Sequence, residues 1–301
     1  MNTKPFDIQR RVVAHKTSES WDTIPHAGLV MELDVTPVKA FVDNLRTTPQ
    51  FQGVRLTINM VMLKIIAEAV KESPDLNATI DYNKRNGTGK MHYRDAIDIA
   101  MPMMTPAHRM ITPVLRDVGG NSLAEVCSAM ETLTKRAYNT NIDLLLHEAA
   151  IKDTLQRLRQ GQLLTVFRRL WANFVGAERV ALPSRAEREE YYKIPESERL
   201  TAADLLEASM LVTNVGSLMP GLRCHVALLE IIAPAVVAFG MAGIQKKPVV
   251  VTNDAGEDTM EIRHMLPFTM YGDHRAIDFA HAAGFLDKLL QLCANPEMLI
   301  Q

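Results

Sequence analysis

The segment MYGDHRAIDFAHAAGFL, residues 270–286, holds the side chains best suited to chemistry. His274 follows an apolar run that ends near Tyr271 and precedes a helical pattern that starts near Phe279, so it sits in a strand-to-helix connection. An imidazole in such a place can face a cleft, and because imidazole titrates near neutrality it suits the role of general base for a thiol or hydroxyl. A base of this kind needs a neighbour to fix its tautomer, and Asp278, four residues on, or a backbone carbonyl supplies one. The plainer reading of Asp278 is the N-cap of the helix that follows. The plainer reading of His274 is one structural histidine among nine. A metal site from His274, Asp278 and His281 is the weaker alternative, because the HExxH arrangement is missing; no metal is expected.

The cysteines Cys127, Cys224 and Cys293 are odd in number, far apart and without CxxC spacing. That argues against a disulfide framework or zinc ribbon and for a reducing cytoplasm.

Several elements are needed to hold such a site. Residues 24–35 read as a strand, and Thr36-Pro37 as the start of a helix to about Arg46, with Thr36 as its cap. Ile58, Val61, Met62, Ile65, Ile66, Ala69 and Val70 recur at helical spacing between Thr57 and Pro74. Residues 78–100 read as short strands around an Asn86-Gly87 turn, and residues 109–116 as one more strand. Ser122 and Glu125 have capping-box spacing, and the helical pattern that follows continues to about Gln160. Residues 178–200 are charge-dense and interrupted by proline, which predicts a loop. The last third alternates apolar runs with turn signals and closes with a helix from Phe279 to about Cys293. Interleaved strands and helices with late hairpins predict an α+β fold, with helices on one face of the sheet.

The 301 residues fit one large domain or two small ones. Lysine and arginine total 33 against 35 aspartate and glutamate, a formal net charge of -2, so no nucleic-acid partner is expected. An apolar share of 47% and a charged share of 23% are those of a folded globular chain. The opening residues lack the apolar core of a secretory signal, and no stretch is long and apolar enough to span a bilayer. Residues 160–177 form a basic amphipathic pattern, with Arg168 and Arg169 beside Leu164, Phe167, Trp171 and Phe174. It suits a membrane surface or a protein partner, although packing on the body of the protein is the commoner fate of such helices.

DHRAID resembles the DHRxxDG signature of the catalytic domain of dihydrolipoamide acyltransferases, the core subunits of 2-oxoacid dehydrogenase complexes. The resemblance is carried by several motifs in order: DTIPHAGLVMELDVT, LTINMVMLKIIAEAVKESPDLNA, ITPVLRD with SLAEV, LVTNVGSL, KKPVVV and ANPEMLI. It covers roughly residues 10–135 and 207–300, and ordered motifs are far more specific than one hexapeptide. It implies a chloramphenicol acetyltransferase-like mixed sheet and a CoA-dependent acyltransferase working with coenzyme A or acyl-CoA as substrate. His274 is then the base that deprotonates an acceptor thiol, hydroxyl or amine. Thr213 on the LVTNVGSL strand matches the family's oxyanion-stabilising hydroxyl, whereas without the family it reads as a strand threonine. Asp278 matches the family's aspartate, which holds the geometry of the site. The resemblance also implies a homotrimer, with a higher assembly of trimers open, in which His274 of one chain faces Thr213 of its neighbour.

The chain departs from the family in three ways. Phe279 stands where the family has glycine. No lipoyl domain or small peripheral-subunit-binding domain is seen, so residues 1–301 are expected to form a single catalytic domain without a covalent lipoyl group. Residues from about 138 to 206 read as a helical or loop insertion. Three functions follow from this: an acyltransferase acting alone on a small-molecule acceptor, the same enzyme served by a lipoyl protein in trans, or a non-catalytic trimeric scaffold of the same fold.

Overall fold

The computed structural model describes residues 5–159, 183–219, 221–227, 229–253 and 255–300. The basic amphipathic pattern at 160–177 lies outside the described residues.

An N-terminal helix α1 (Ile8–Thr23) leads into strand β1 (His26–Asp34), helix α2 (Thr36–Leu45) and helix α3 (Ile58–Val70). The hairpin β2 (Ala78–Asn83) and β3 (Thr88–Tyr93) follows, turning at Asn86-Gly87, where Gly87 takes a φ of 68°. Four two-residue strands come next: β4 (Ile99–Ala100), β5 (Met103–Met104), β6 (Met110–Ile111) and β7 (Val114–Leu115). Residues 109–116 are therefore two short pieces rather than one strand. Pro113 has no N–H to give a ladder, and its carbonyl accepts from Met101 N (2.9 Å).

Helices α4 (Leu123–Tyr138) and α5 (Ile142–Arg159) replace the single long helix expected from 123 to 160. The break falls at Asn139–Asn141. Asn141 Oδ1 accepts from the amides of Asp143 and Leu144 and starts a new helix. The capping box at Ser122 and Glu125 is formed in both directions. Residues 178–200, expected as a loop, contain helix α6 (Arg185–Tyr191), which Ser184 and Glu187 cap with a second such box. Strand β8 (Met210–Asn214) and a short turn of helix α7 (Val215–Leu218) precede β9 (Val237–Met241) and β10 (Gln245–Thr252). The 16-residue β11 (Asp258–Asp273) and helix α8 (Phe279–Ala294) complete the main elements.

The main sheet runs β1-β11-β9-β8-β4-β7, with β10 also paired to β11. β8 is parallel to β9 and β4, and the other pairs are antiparallel, so the sheet is mixed and the α+β expectation holds. Helices α2, α3, α4 and α8 bury one face. Phe41, Ile65, Val126, Phe285 and Leu289 meet Leu33, Val212, Phe239 and Phe268 there. Phe239 stacks between Phe268 (5.8 Å) and Phe285 (5.0 Å), which couples α8 to the strand that carries the candidate site. α8 approaches α3 closely because residue 284 is glycine; a Cβ there would lie 2.7 Å from the Glu72 carbonyl.

The opposite face is covered by extended chain rather than helix. Val226, Leu229 and Ile231 pack with Ile24, Leu211, Ala238 and Tyr271. Tyr271 lies across Gly28, its cross-strand partner, and donates its hydroxyl to the Ala227 carbonyl. Thr36 is not a cap. Asp34 Oδ1 accepts its amide (2.9 Å), and its hydroxyl accepts from His264 N (2.8 Å), so the helix boundary moves to Val35.

Candidate active site

β11 ends at Asp273, and the chain turns at once. The amides of Ala276 and Ile277 both donate to the Asp273 carbonyl at 2.9 Å. His274 stands on this turn, and its amide donates to the Pro25 carbonyl (2.9 Å), which ties the turn to the start of β1. The ring is exposed, and its Nδ1 lies 3.0 Å from the Ile277 carbonyl oxygen. A carbonyl only accepts, so Nδ1 carries the proton of the neutral ring and Nε2 is left with a free lone pair. Of the two candidates for fixing the tautomer, the backbone carbonyl does the work.

Asp278 is the N-cap of α8. Its carboxylate accepts from the amides of Ala280 (2.9 Å) and His281 (3.3 Å) and lies 2.7 Å from His281 Nδ1. The His281 side chain, followed by the helix amides, holds this carboxyl below its usual range. The structure therefore places Asp278 beside His281 and the helix end, four residues beyond His274. Phe279, the first residue of α8, is 69% exposed and does not cover the His274 ring.

Thr213 is half-buried on β8. Alternation with Val212, which faces the helices, puts it on the other face with Leu211. Thr213 is level with Gly240 on β9, and Gly240 with Thr269 on β11. His274 lies beyond Thr269 toward the strand end; two strand spacings and five residues of rise put it roughly 20 Å from Thr213. Within one chain the fold keeps them apart.

Two of the three cysteines are withdrawn from chemistry. Burial pushes the Cys127 thiol up to about 11 and the Cys293 thiol, with Asp34 nearby, up to about 12. Both are packed in the core. Among the described residues no cluster of His, Cys, Asp and Glu is arranged to hold a metal ion, and no helix is long and apolar enough to cross a membrane.

The family model for the 2-oxoacid dehydrogenases acyltransferase catalytic domain matches residues 1–145 and 184–301. The chain belongs to that family. The match leaves out 146–183, which fall inside the 138–206 stretch read as an insertion. The chain is 24% identical over 290 residues to the dihydrolipoyllysine-residue acetyltransferase component of the pyruvate dehydrogenase complex of Corynebacterium glutamicum, covering 95% of this chain and 33% of the relative. It is 23% identical over 300 residues to the dihydrolipoyllysine-residue succinyltransferase component of the 2-oxoglutarate dehydrogenase complex of Haemophilus influenzae, covering 98% and 54%. The chain thus spans about a third to about a half of these relatives' length. Its fold is similar to that of the cubic core of the pyruvate dehydrogenase complex, with a TM-score of 0.67, 21% identity and coverage of 100% of this chain and 94% of that one.

Three parts of the site were not named from the sequence: which backbone carbonyl orients the ring, that of Ile277; the Pro25 carbonyl; and the Asp273–Arg275 ion pair (2.5 Å) that flanks the histidine. The first two are backbone groups without a residue-type signal. The third had one, since an acid and a base two residues apart astride the histidine are within easy reach of each other.

Proposed function

We propose that this chain transfers an acyl group between the thiol of coenzyme A and a second thiol, with His274 as general base. The observation that carries this reading is the exposed imidazole with Nδ1 committed to Ile277 and Nε2 bare. Nε2 takes the proton from the acceptor thiol, and the sulfur attacks the carbonyl carbon of the acyl thioester. The tetrahedral oxyanion then collapses, the carbon–sulfur bond to the first thiol breaks, and the imidazolium returns the proton to the departing sulfur.

An oxyanion donor must lie about 3 Å from the oxygen it stabilises. Thr213 of the same chain is far outside that range, so the hydroxyl comes from the Thr213 of another copy, and the working unit is a closed oligomer, here read as a trimer. Asp278 contributes by fixing the start of α8 and so the Ile277 end of the turn. The dihydrolipoyllysine named in both relatives supports a dihydrolipoyl thiol as acceptor, carried by a lipoyl protein or a lipoyl domain.

The test is transfer from acetyl-CoA and from succinyl-CoA to dihydrolipoamide, followed as free coenzyme A released. Saturable, acceptor-dependent release is expected, with His274→Ala slower by about 10²–10⁴-fold. Absence of release with either donor, or full turnover by His274→Ala, overturns the reading. Persistence of transfer only with a lipoyl protein identifies delivery in trans.

A further inference from the structure

His274 owes its tautomer to a carbonyl three residues away, so whatever holds that turn holds the base. We infer that Asp273 and Arg275 are positioning residues: their ion pair clamps the turn and keeps the Nδ1–H form of His274 in place. The inference rests on the reading of His274 as the base. Asp273 is fully buried at the end of β11, and its amide is fixed to the Val236 carbonyl (2.8 Å). Its Oδ1 accepts from the amide of Arg275 (3.0 Å) and from Nε (2.9 Å), and its Oδ2 accepts from Nη2 (2.5 Å). This is a two-point, charge-assisted contact that an ammonium does not reproduce.

The same residue's carbonyl receives the amides of Ala276 and Ile277, so one aspartate organises both the side-chain clamp and the backbone turn. The far side of the guanidinium lies over the Tyr82 ring, 5.5 Å from its centroid, which fixes Arg275 against β2. A continuous set of contacts thus runs from Tyr82 through Arg275 and Asp273 to the Ile277 carbonyl and His274 Nδ1. Without the guanidinium, a buried carboxylate loses its partner and the turn loses its brace. The Ile277 carbonyl then drifts from Nδ1, and the ring populates the other tautomer, in which Nε2 holds the proton and cannot accept one.

The test is made on the full chain labelled with ¹⁵N-histidine, in which two-bond ¹H–¹⁵N correlations report the tautomer of each ring. The His274 signal is the one lost in His274→Gln. The wild type is expected to show a single Nδ1–H form. Arg275→Gln is expected to show both tautomers, with kcat lowered by tenfold or more toward the ~10²–10⁴-fold of losing the base and KM for the acyl donor little changed. Arg275→Lys should fall between them. Should Arg275→Gln fail to fold, Arg275→Lys carries the test alone. A folded variant of either kind that keeps one Nδ1–H form, with kcat within about twofold, overturns the inference, since a base already in the right form gains nothing from the clamp. An inactive wild type refutes the base reading instead, while the tautomer spectra still decide whether the clamp acts.

Discussion

If His274 and Thr213 meet only across two chains, two dead variants should revive each other. Each chain separates the two residues by roughly 20 Å, against the 3 Å an oxyanion donor requires. His274→Ala removes the base, and Thr213→Val removes the hydroxyl while nearly keeping the shape of a half-buried strand residue. Alone, the first should lose about 10²–10⁴-fold in kcat and the second about 10²–10³-fold. In a cyclic oligomer each site draws its histidine from one protomer and its threonine from the next. Co-expressed at equal amounts and mixed at random, a site is intact when its histidine donor is the Thr213→Val chain and its threonine donor the His274→Ala chain, so about one half times one half, or a quarter, of sites work. The assay is coenzyme A release by the co-purified mixture, with the two variants carrying different tags to confirm mixing. Activity near a quarter of wild type is more than tenfold above either parent. A confirmed mixture no more active than its parents refutes the shared site.

Other predictions concern the frame. Lys64 is buried, donates to the carbonyls of Val118, Gly119 and Asn121, and pairs with Glu68 at 2.6 Å; Lys64→Ala should cost about 3–5 kcal/mol in urea unfolding, and a loss below about 1 kcal/mol would contradict that account. Burial raises the Glu68 carboxyl, but hydrogen bonds from Lys64 and Lys71 outweigh it and hold it below its ordinary 4.5. A depressed carboxyl stabilises above its unfolded pKa and loses that contribution as pH falls through its folded one. Glu68→Gln should therefore be less stable than wild type at neutral pH, and the gap should close in acid. Gly28→Ala would drive a Cβ into the Tyr271 ring and displace its hydroxyl from Ala227, with an expected loss of about 1–3 kcal/mol by thermal melting. Of the three thiols, Cys224 alone is not buried, so a native thiol titration should report one fast reaction and two that wait for unfolding.

The elements with strong periodicity or paired capping signals were legible from the residues. α3, α8, the Ser122 box and the Asn86-Gly87 hairpin lie where those signals point. His274 stood out as a candidate by its place between a buried strand and a helix start, but a lone histidine there reads more readily as structural, and its nomination as base rests on the DHRAID resemblance. What failed to show were competitions settled by tertiary contacts. Thr36 has cap chemistry, but Asp34 and His264 claim its two polar groups. The pattern from 123 to 160 hides a break, because Thr140 turns its hydroxyl to the Arg136 carbonyl and accepts the Leu200 amide, a partner sixty residues away. Ser184 and Glu187 carried the spacing of a cap, and the charge density around them masked it. For the site, the residues left the orienting group open between Asp278 and a backbone carbonyl, and only coordinates distinguish a carboxylate that serves a helix end from a carbonyl that serves the ring.

The stretch 184–206 returns to the body through Arg199, which is held by Glu148 and the rings of Tyr191 and Tyr192, and through Arg136, which grips Asp204 and the Arg199 carbonyl. These contacts give the fold a graft point. With the return path stapled to α4 and α5, each doubling of the intervening length costs only about 0.6 kcal/mol. A lineage can trade passengers there freely, whereas a single residue added between Asp273 and Asp278 would shift the acceptor away from the imidazole. Variation in this architecture therefore has one cheap address and one forbidden one.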